Sequence, residues 1–313
     1  MIDVSKKTNS LRTAIASARI EMSAETVQVI KDGRVPKGDI FTVAKVAATQ
    51  AAKNTHSLIP YCHSMPIDYV GVTFTTGENF VDIRTEVKAV WKTGVEMEAI
   101  TAAAVAALTI YDMLKMIDDT VVIRDVQLIA KTGGKSDFRE QLTQAPRAAV
   151  LVLSDSVAAG TKQDISGKLI EQRLQSEGID VIEYCIIADD RETIASKLRS
   201  FADDLKVDLV LTTGGTGFSP RDATPEAMGE VIEKEIPGIA EAMRSYGLAR
   251  TPYAMLSRAM AGQRGNTIIV NLPGSRRGVS ESLDALFPAL LHAFKMVQGG
   301  NHNESENRDH KAK

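Results

Sequence analysis

VDLVLTTGG, residues 207–215, reads as a buried strand that opens directly onto a glycine turn. Its surroundings repeat the theme. AAVLVLSD (148–155) is a second buried strand, DISGKLIEQRLQSEG (164–178) a helix ending at Gly178, and IDVIEYCIIAD (179–189) another strand. RETIASKLRSFADDLK (191–206) then supplies the helix before the opening stretch. Strands alternating with helices at this spacing require crossover connections, hence an α/β fold with a mostly parallel, open sheet. Ligands in such sheets sit at the carboxyl ends of the strands. The half closes with NTIIVNLPGS (266–275), a helical stretch ALFPALLHAFKMV (285–297) and the polar GGNHNESENRDHKAK (299–313), read as a disordered tail.

Toward the N-terminus the pattern changes. YVGVTFTT (69–76) and FVDIRTEV (80–87) flank Gly77-Glu78-Asn79 as a hairpin, followed by the alanine-rich helix EAITAAAVAALTIYDMLKMI (98–117) and the strand-like VVIRDVQLIA (121–130). After Lys131-Thr132-Gly133-Gly134-Lys135, the run DFREQLTQAPRA loses apolar periodicity. The expectation is therefore a domain over 1–140, a linker over 141–146, a second domain over 147–298 and the tail from 299. A chain of 313 residues, 44% hydrophobic and 25% charged, is long enough for two cores. No internal repeat is visible.

A net charge of −3 and a pI near 6.0 give no general reason to expect nucleic acid or an anionic membrane as partner, which leaves small molecules. Only Cys62 and Cys185 are present, which fits a reducing compartment better than a disulfide framework. The N-terminal residues lack the apolar stretch of a signal peptide, and no later run is expected to reach membrane-spanning length. The expected location is cytoplasmic.

IPYCHSMP (59–66) sets Cys62 against His63 between prolines. Three readings are open: metal ligands, a buried Cys beside a hydrogen-bonded His, or a His that moves a proton. A structural zinc site wants four N or S ligands in paired short spacings, and the chain lacks that inventory, so no structural metal is expected. The other polar residues needing explanation in this half are Lys37, Glu96, Glu98, Asp112, Lys115, Lys131 and Lys135. An Asp and a Lys at i, i+3 are commonly a solvated pair. Together the set offers cations for a polyphosphate and several acid or base groups. Glu98 and Asp112 lie 14 residues apart, about 21 Å on a straight helix. Either they serve different purposes, or two antiparallel copies of the helix bring Glu98 of one chain to Asp112 of another.

In the second half, LTTGGTGFSPRDATPEAM (211–228) places Gly214, Gly215 and Gly217 after the strand, with Thr224 as the expected N-cap of a following helix. Glycines let backbone N–H groups approach a phosphate or a pterin edge. The run is neither a Walker loop nor a dinucleotide fingerprint, and a plain tight turn with a capped helix is the alternative. Asp222 beside Arg221 is either a surface pair or a carboxylate for magnesium near an anionic ligand.

The blocks DGRVPKGDIF (32–41), AATQAAKNTHSLIPYCHSMP (47–66), KTGVEMEAITAAAVAALTIYDMLK (92–115) and LIAKTGGKSDF (128–138) resemble, in order and spacing, the MoaC family, cyclic pyranopterin monophosphate synthases of molybdenum cofactor biosynthesis. The resemblance implies an α+β ferredoxin-like domain assembled into hexamers, with active sites between subunits. It also implies a substrate, 3′,8-cyclo-7,8-dihydro-GTP, converted to the tricyclic pyranopterin with loss of diphosphate. On this resemblance Tyr61, Cys62, His63, Met97 and Glu98 contact substrate, with Glu96 beside them. Asp112 falls on the catalytic position, and Lys37, Lys115, Lys131 and Lys135 match the family's lysines. Where the family writes leucine, Cys, His, Pro, this chain has Tyr61, Cys62, His63 and Ser64. The implied reading of IPYCHSMP is a substrate wall.

LVLSDS (151–156), DISG (164–167), TTGGTGFSPRDATPEA (212–227), IPGIAEAMR (236–244), AMLSRAMAG (254–262) and NLPGS (271–275) resemble the MoaB/MogA family of molybdopterin-binding domains. That resemblance implies a three-layer α/β fold, usually trimeric, whose active members transfer AMP from Mg-ATP to molybdopterin. The matching positions are Ser154, Asp155, Asp164, Ser166, Gly167, Gly214, Gly215, Thr216, Gly217, Asp222, Thr224, Asn271, Leu272, Pro273, Gly274 and Ser275. Two acids tied to adenylylation fall on Asp222 and Asp189. The combined expectation is a homo-oligomeric fusion of two enzymes acting on a cyclised GTP derivative, molybdopterin and ATP. Its alternative is a synthase joined to a non-catalytic binding module.

Overall fold

The computed structural model describes residues 1–140, 142, 144–297 and 299, so the expected tail from 300 onward, and Gln141 and Thr143 of the expected linker, lie outside the described residues. Internal contacts divide the chain between Asp137 and Phe138 into two units.

In the first unit the described residues form, in chain order, β1 (Ser10–Glu21), α1 (Ala24–Lys31), α2 (Ile40–Lys53), α3 (Thr55–Leu58), β2 (Tyr69–Thr76), β3 (Phe80–Trp91), α4 (Glu96–Leu114) and β4 (Val122–Thr132). The sheet order is β2-β3-β1-β4, and every neighbouring pair is antiparallel. This is the ferredoxin-like arrangement. One face of the sheet carries the core: Ala14, Ala16, Ala18 and Ile20 of β1 alternate inward beside Val81, Ile83 and Val87 of β3. Ser23 and Asp39 cap α1 and α2 through side-chain oxygens that accept backbone N–H groups of the first turn.

The central strand β1 was not evident from sequence, because its inward positions are mostly alanines, whose weak hydrophobicity blurs a period of two. Those small residues have a packing reason. Ala99, Ala102, Ala103, Ala106 and Ala107 of α4 and Ala44, Ala48 and Ala52 of α2 are buried in the same core, and small side chains let helices and sheet approach closely. By length and apolarity alone α4 is able to cross a bilayer, which corrects the sequence reading that no run is long enough. Here its buried face is core.

The second unit contains β5 (Arg147–Leu153), α5 (Asp155–Ala158), α6 (Ser166–Ser176), β6 (Asp180–Ile187), α7 (Arg191–Arg199), β7 (Leu209–Thr213), α8 (Thr224–Gly229), β8 (Lys234–Glu235), α9 (Pro237–Leu248), β9 (Ala261–Arg264), β10 (Thr267–Leu272), α10 (Arg276–Leu286) and α11 (Leu290–Val297). Its described strands order as β6-β5-β7-β10-β9-β8, the first four mutually parallel and β9 antiparallel to both β10 and β8. Period-two alternation divides the buried strands between two cores. Ala148, Val150 and Val152 face α6, α9, α10 and α11, whereas Ala149, Leu151 and Leu153 face α7 and α8. Three layers result.

Two local readings need correction. The helix expected over 191–206 is α-helical only to Arg199, after which a π-turn over Ser200–Asp204 carries Phe201 into the core. Thr224 is the first residue of α8 rather than its cap, which is Ala223 without a side-chain bond. The Thr224 hydroxyl is wholly buried and donates instead to the Gly214 carbonyl at 3.1 Å, satisfying a group that has no access to water.

Candidate functional sites

Helix α4 carries a polar cluster at each end. At its N-terminus, Glu96 accepts a hydrogen bond from Lys131 of β4 at 2.9 Å. Burial alone raises the Glu96 pKa, but the Lys131 bond, with the charges of Lys131 and Arg12, outweighs it and holds Glu96 below the usual carboxylate value. Arg12 is a buried β1 residue whose Nε donates to the Trp91 carbonyl, and the sequence reading missed it. Glu98 is 2% exposed, and burial pushes its pKa up. Its Oε1 accepts from the Cys62 thiol at 3.2 Å, and its Oε2 has no hydrogen-bond partner among the described residues. Burial and the neighbouring Glu98 push the Cys62 thiol up to about 12, so it is no thiolate nucleophile at neutral pH. His63 Nε2 lies 2.9 Å from the Ile2 carbonyl. Cys62 and His63 thus face different partners, and no group of three or more His, Cys, Asp or Glu suited to a metal occurs among the described residues. Tyr61 and Met97 are exposed beside them. Lys135 opens a 3-10 turn over Lys135–Phe138, and its side chain lies outside the described residues.

At the other end, Asp112 lies between two ammonium groups. Lys37 reaches its Oδ2 at 2.7 Å and its carbonyl at 2.8 Å, while Lys115 reaches Oδ1 at 2.8 Å. The hydrogen bonds from Lys115 and Lys37 lower the Asp112 pKa to about 2. It is therefore an anion throughout the neutral range, too weak a base to hold a proton there. One continuous helix joins the two clusters, which keeps them about 21 Å apart within a chain.

In the second unit a cavity of about 430 Å³ opens at the carboxyl ends of β5 and β7, lined by Ser154, Asp164, Ser166, Gly214, Gly215 and Gly274 together with Lys162 and Arg276. These two cations were not singled out in the sequence, although Arg276 follows NLPGS directly. Gly214 has φ +111° and Gly215 φ +61°; a Cβ at the first would strike the Leu153 carbonyl, and at the second the Thr224 hydroxyl. Asp164 accepts the Gly167 N–H at 2.7 Å and the Tyr184 hydroxyl, and Ser166 Oγ donates to the Gly274 carbonyl at 3.0 Å. These bonds tie both loops around the cavity. Thr224, Thr216 and Asn271 are buried, and Asn271 Oδ1 accepts the Met260 N–H, so these positions brace the loops from behind. Pro273 and Ser275 face a second cavity of about 330 Å³ with Met243, Tyr253 and Arg277.

Asp155 and Asp189 are hydrogen-bonded to each other, and the Asp222 charge also acts on Asp189. The Asp189 N–H donates to Asp155 Oδ1 at 3.2 Å, and burial, then the charges of Asp155 and Asp222, push the Asp189 pKa up to about 6. Asp189 Oδ1 is buried without a hydrogen-bond partner among the described residues. Asp222 Oδ2 accepts the Ser219 N–H at 2.7 Å. These acids form no protein-only metal site among the described residues, and the orphaned Asp189 oxygen leaves room only for a cation that a bound phosphate also ligates.

Comparison with known proteins covers both units. The model described as the MoaC family matches residues 1–134, and the one described as "Probable molybdopterin binding domain" matches residues 149–292. A Chlorobaculum tepidum protein named molybdenum cofactor biosynthesis bifunctional protein is 41% identical over 302 residues, 96% of each chain. One of the same name from Synechococcus elongatus is 38% identical over 315 residues, 96% of this chain and 98% of its own. A cyclic pyranopterin monophosphate synthase of Heliobacterium modesticaldum is 48% identical over 138 residues, 44% of this chain and 87% of its own.

Proposed function

This chain belongs to the family of molybdenum cofactor biosynthesis bifunctional proteins, and on that premise we propose that its two units carry out two separate steps of that synthesis. The N-terminal unit is a cyclic pyranopterin monophosphate synthase, acting on the cyclised GTP derivative with diphosphate as leaving group. Its lysines hold the triphosphate as charge-assisted donors. Asp112 orients Lys37 and Lys115, and proton transfer falls to a lysine or to His63. The observation that carries this reading is the single helix α4 with a polar cluster at either end. Neither cluster alone provides both the Glu98 wall and the Asp112 lysines, so the working site joins one copy's Glu98 end to another's Asp112 end, within a homo-oligomer, a hexamer in this reading.

The C-terminal unit binds molybdopterin in the 430 Å³ cavity, its phosphate toward the glycine backbone, Lys162 and Arg276. It then adenylylates that phosphate with Mg-ATP. Asp222 and Asp189, with Asp155, would hold a magnesium ion together with the ATP phosphates, and that ion would supply charge neutralisation between the phosphates and at the diphosphate leaving group. Asp222→Asn keeps the shape and removes the charge. Molybdopterin affinity should survive, while AMP transfer falls by about a hundredfold or more. Equal transfer in the variant excludes the metal role; no transfer by the unmodified chain establishes a binding module instead. A reducing, cytoplasmic setting is proposed from the two free cysteines.

A further inference from the structure

Arg258 sits in the segment before β9, 36 residues after Asp222, yet its side chain spans the whole loop that carries that acid. Nε donates to the Gly217 carbonyl at 2.7 Å, and Nη2 donates to the Asp222 carbonyl at 2.6 Å. Nη1 pairs with the Glu226 carboxylate in the first turn of α8. The Arg258 backbone N–H adds a bond to the Thr216 carbonyl at 3.1 Å. The loop is thus held at its start, at Asp222 and at the helix that follows. A guanidinium is suited to this because its donors form a rigid planar fork, whereas a lysine offers a flexible point charge.

The placement of the charge matters equally. Had the guanidinium faced the Asp222 carboxylate, it would have neutralised it and competed with a cation. Glu226 takes that charge, and the fork touches Asp222 only through its carbonyl. Asp222 keeps its carboxylate free of any salt bridge among the described residues, with Oδ2 accepting the Ser219 N–H. We propose that Arg258 is the positioning residue of the C-terminal site, fixing the Asp222 loop so that its carboxylate stands ready to share a divalent cation with a bound nucleotide's phosphates. This rests on the adenylyl-transfer reading above.

The test is a double-mutant cycle on the full chain, with Mn2+ and a non-hydrolysable ATP analogue as probe and bound Mn2+ read by electron paramagnetic resonance. Arg258→Lys should weaken Mn2+ by about 10- to 100-fold, the range for losing an outer partner of a metal ligand, with molybdopterin affinity unchanged. In an Asp222→Asn background the same change should add nothing, since Arg258 acts through Asp222. Unaltered Mn2+ affinity in Arg258→Lys, or equal weakening in both backgrounds, overturns the proposal. If Arg258→Lys fails to fold by circular dichroism, Glu226→Gln, which removes the guanidinium's anchor, replaces it: weaker Mn2+ binding supports the role and unchanged binding refutes it. An unmodified chain that binds Mn2+ but transfers no AMP refutes adenylylation while leaving the cycle decisive. One that binds no Mn2+ overturns the positioning role.

Discussion

Mixing two inactive synthase variants should restore activity to a calculable level. Glu98→Ala removes a wall residue at the N-terminal end of α4, and Asp112→Asn removes the anion that organises Lys37 and Lys115 at the other. Fourteen residues at 1.5 Å each separate them by about 21 Å, well beyond the reach of a single small substrate's reacting atoms. If each site takes Glu98 from one copy and Asp112 from its neighbour, a two-fold pair of unlike variants holds one intact site and one doubly defective site. Random mixing makes about half of all pairs unlike, and half of their sites intact, so about a quarter of the wild-type activity should return. Co-expressed, differently tagged variants purified for both tags lose only the unmixed hexamers, so their recovery should stay at about a quarter. The assay is conversion of the cyclised GTP derivative, with each variant alone as baseline. Recovery no greater than the sum of the separate variants, in oligomers shown to contain both tags, refutes the shared site.

Three further outcomes follow from the same geometry. Burial raises the Glu98 pKa above its ordinary 4.5, so the folded unit binds that proton more tightly than the unfolded chain, and the resulting stability is lost as pH rises through the folded value. Thermal unfolding followed at Trp91, the chain's single tryptophan, should show Glu98→Gln gaining on the wild type as pH rises from 4 to 8; a constant difference contradicts the assignment. Asp189, with a pKa of about 6, must lose its proton to ligate a cation, so Mn2+ affinity should fall by up to tenfold per pH unit below about 6 and lose that slope in Asp189→Asn. Identical slopes remove Asp189 from the site. Gly214→Ala, at φ +111° and against the Leu153 carbonyl, should cost about 2 kcal/mol or more in urea unfolding followed by circular dichroism. Gly229→Ala, with open space and ordinary backbone angles, is the control that should cost little.

Local physics made much of this protein legible in advance. Buried strands such as 148–153 and 209–213 need only an apolar run between turn residues, and the hairpin 69–87 needs only alternation around Gly77-Glu78-Asn79. Ordered blocks such as KTGVEMEA and TTGGTGFSPRD likewise carry both family resemblances along the chain. What escaped was non-local. The alanine alternation of β1 acquires meaning only beneath α2 and α4, where small size permits close packing. The hydroxyl of Thr224 reads as a cap until burial forces it to seek the Gly214 carbonyl. The partnerships of Lys37 with Asp112, Cys62 with Glu98 and Arg258 with Gly217 and Asp222 join residues 36 to 75 positions apart. Sequence specified those side chains and their local backbone preferences. Which of them meet depends on where strand order and helix packing bring the chain back upon itself, and burial then shifts the pKa values of Glu98 and Asp189.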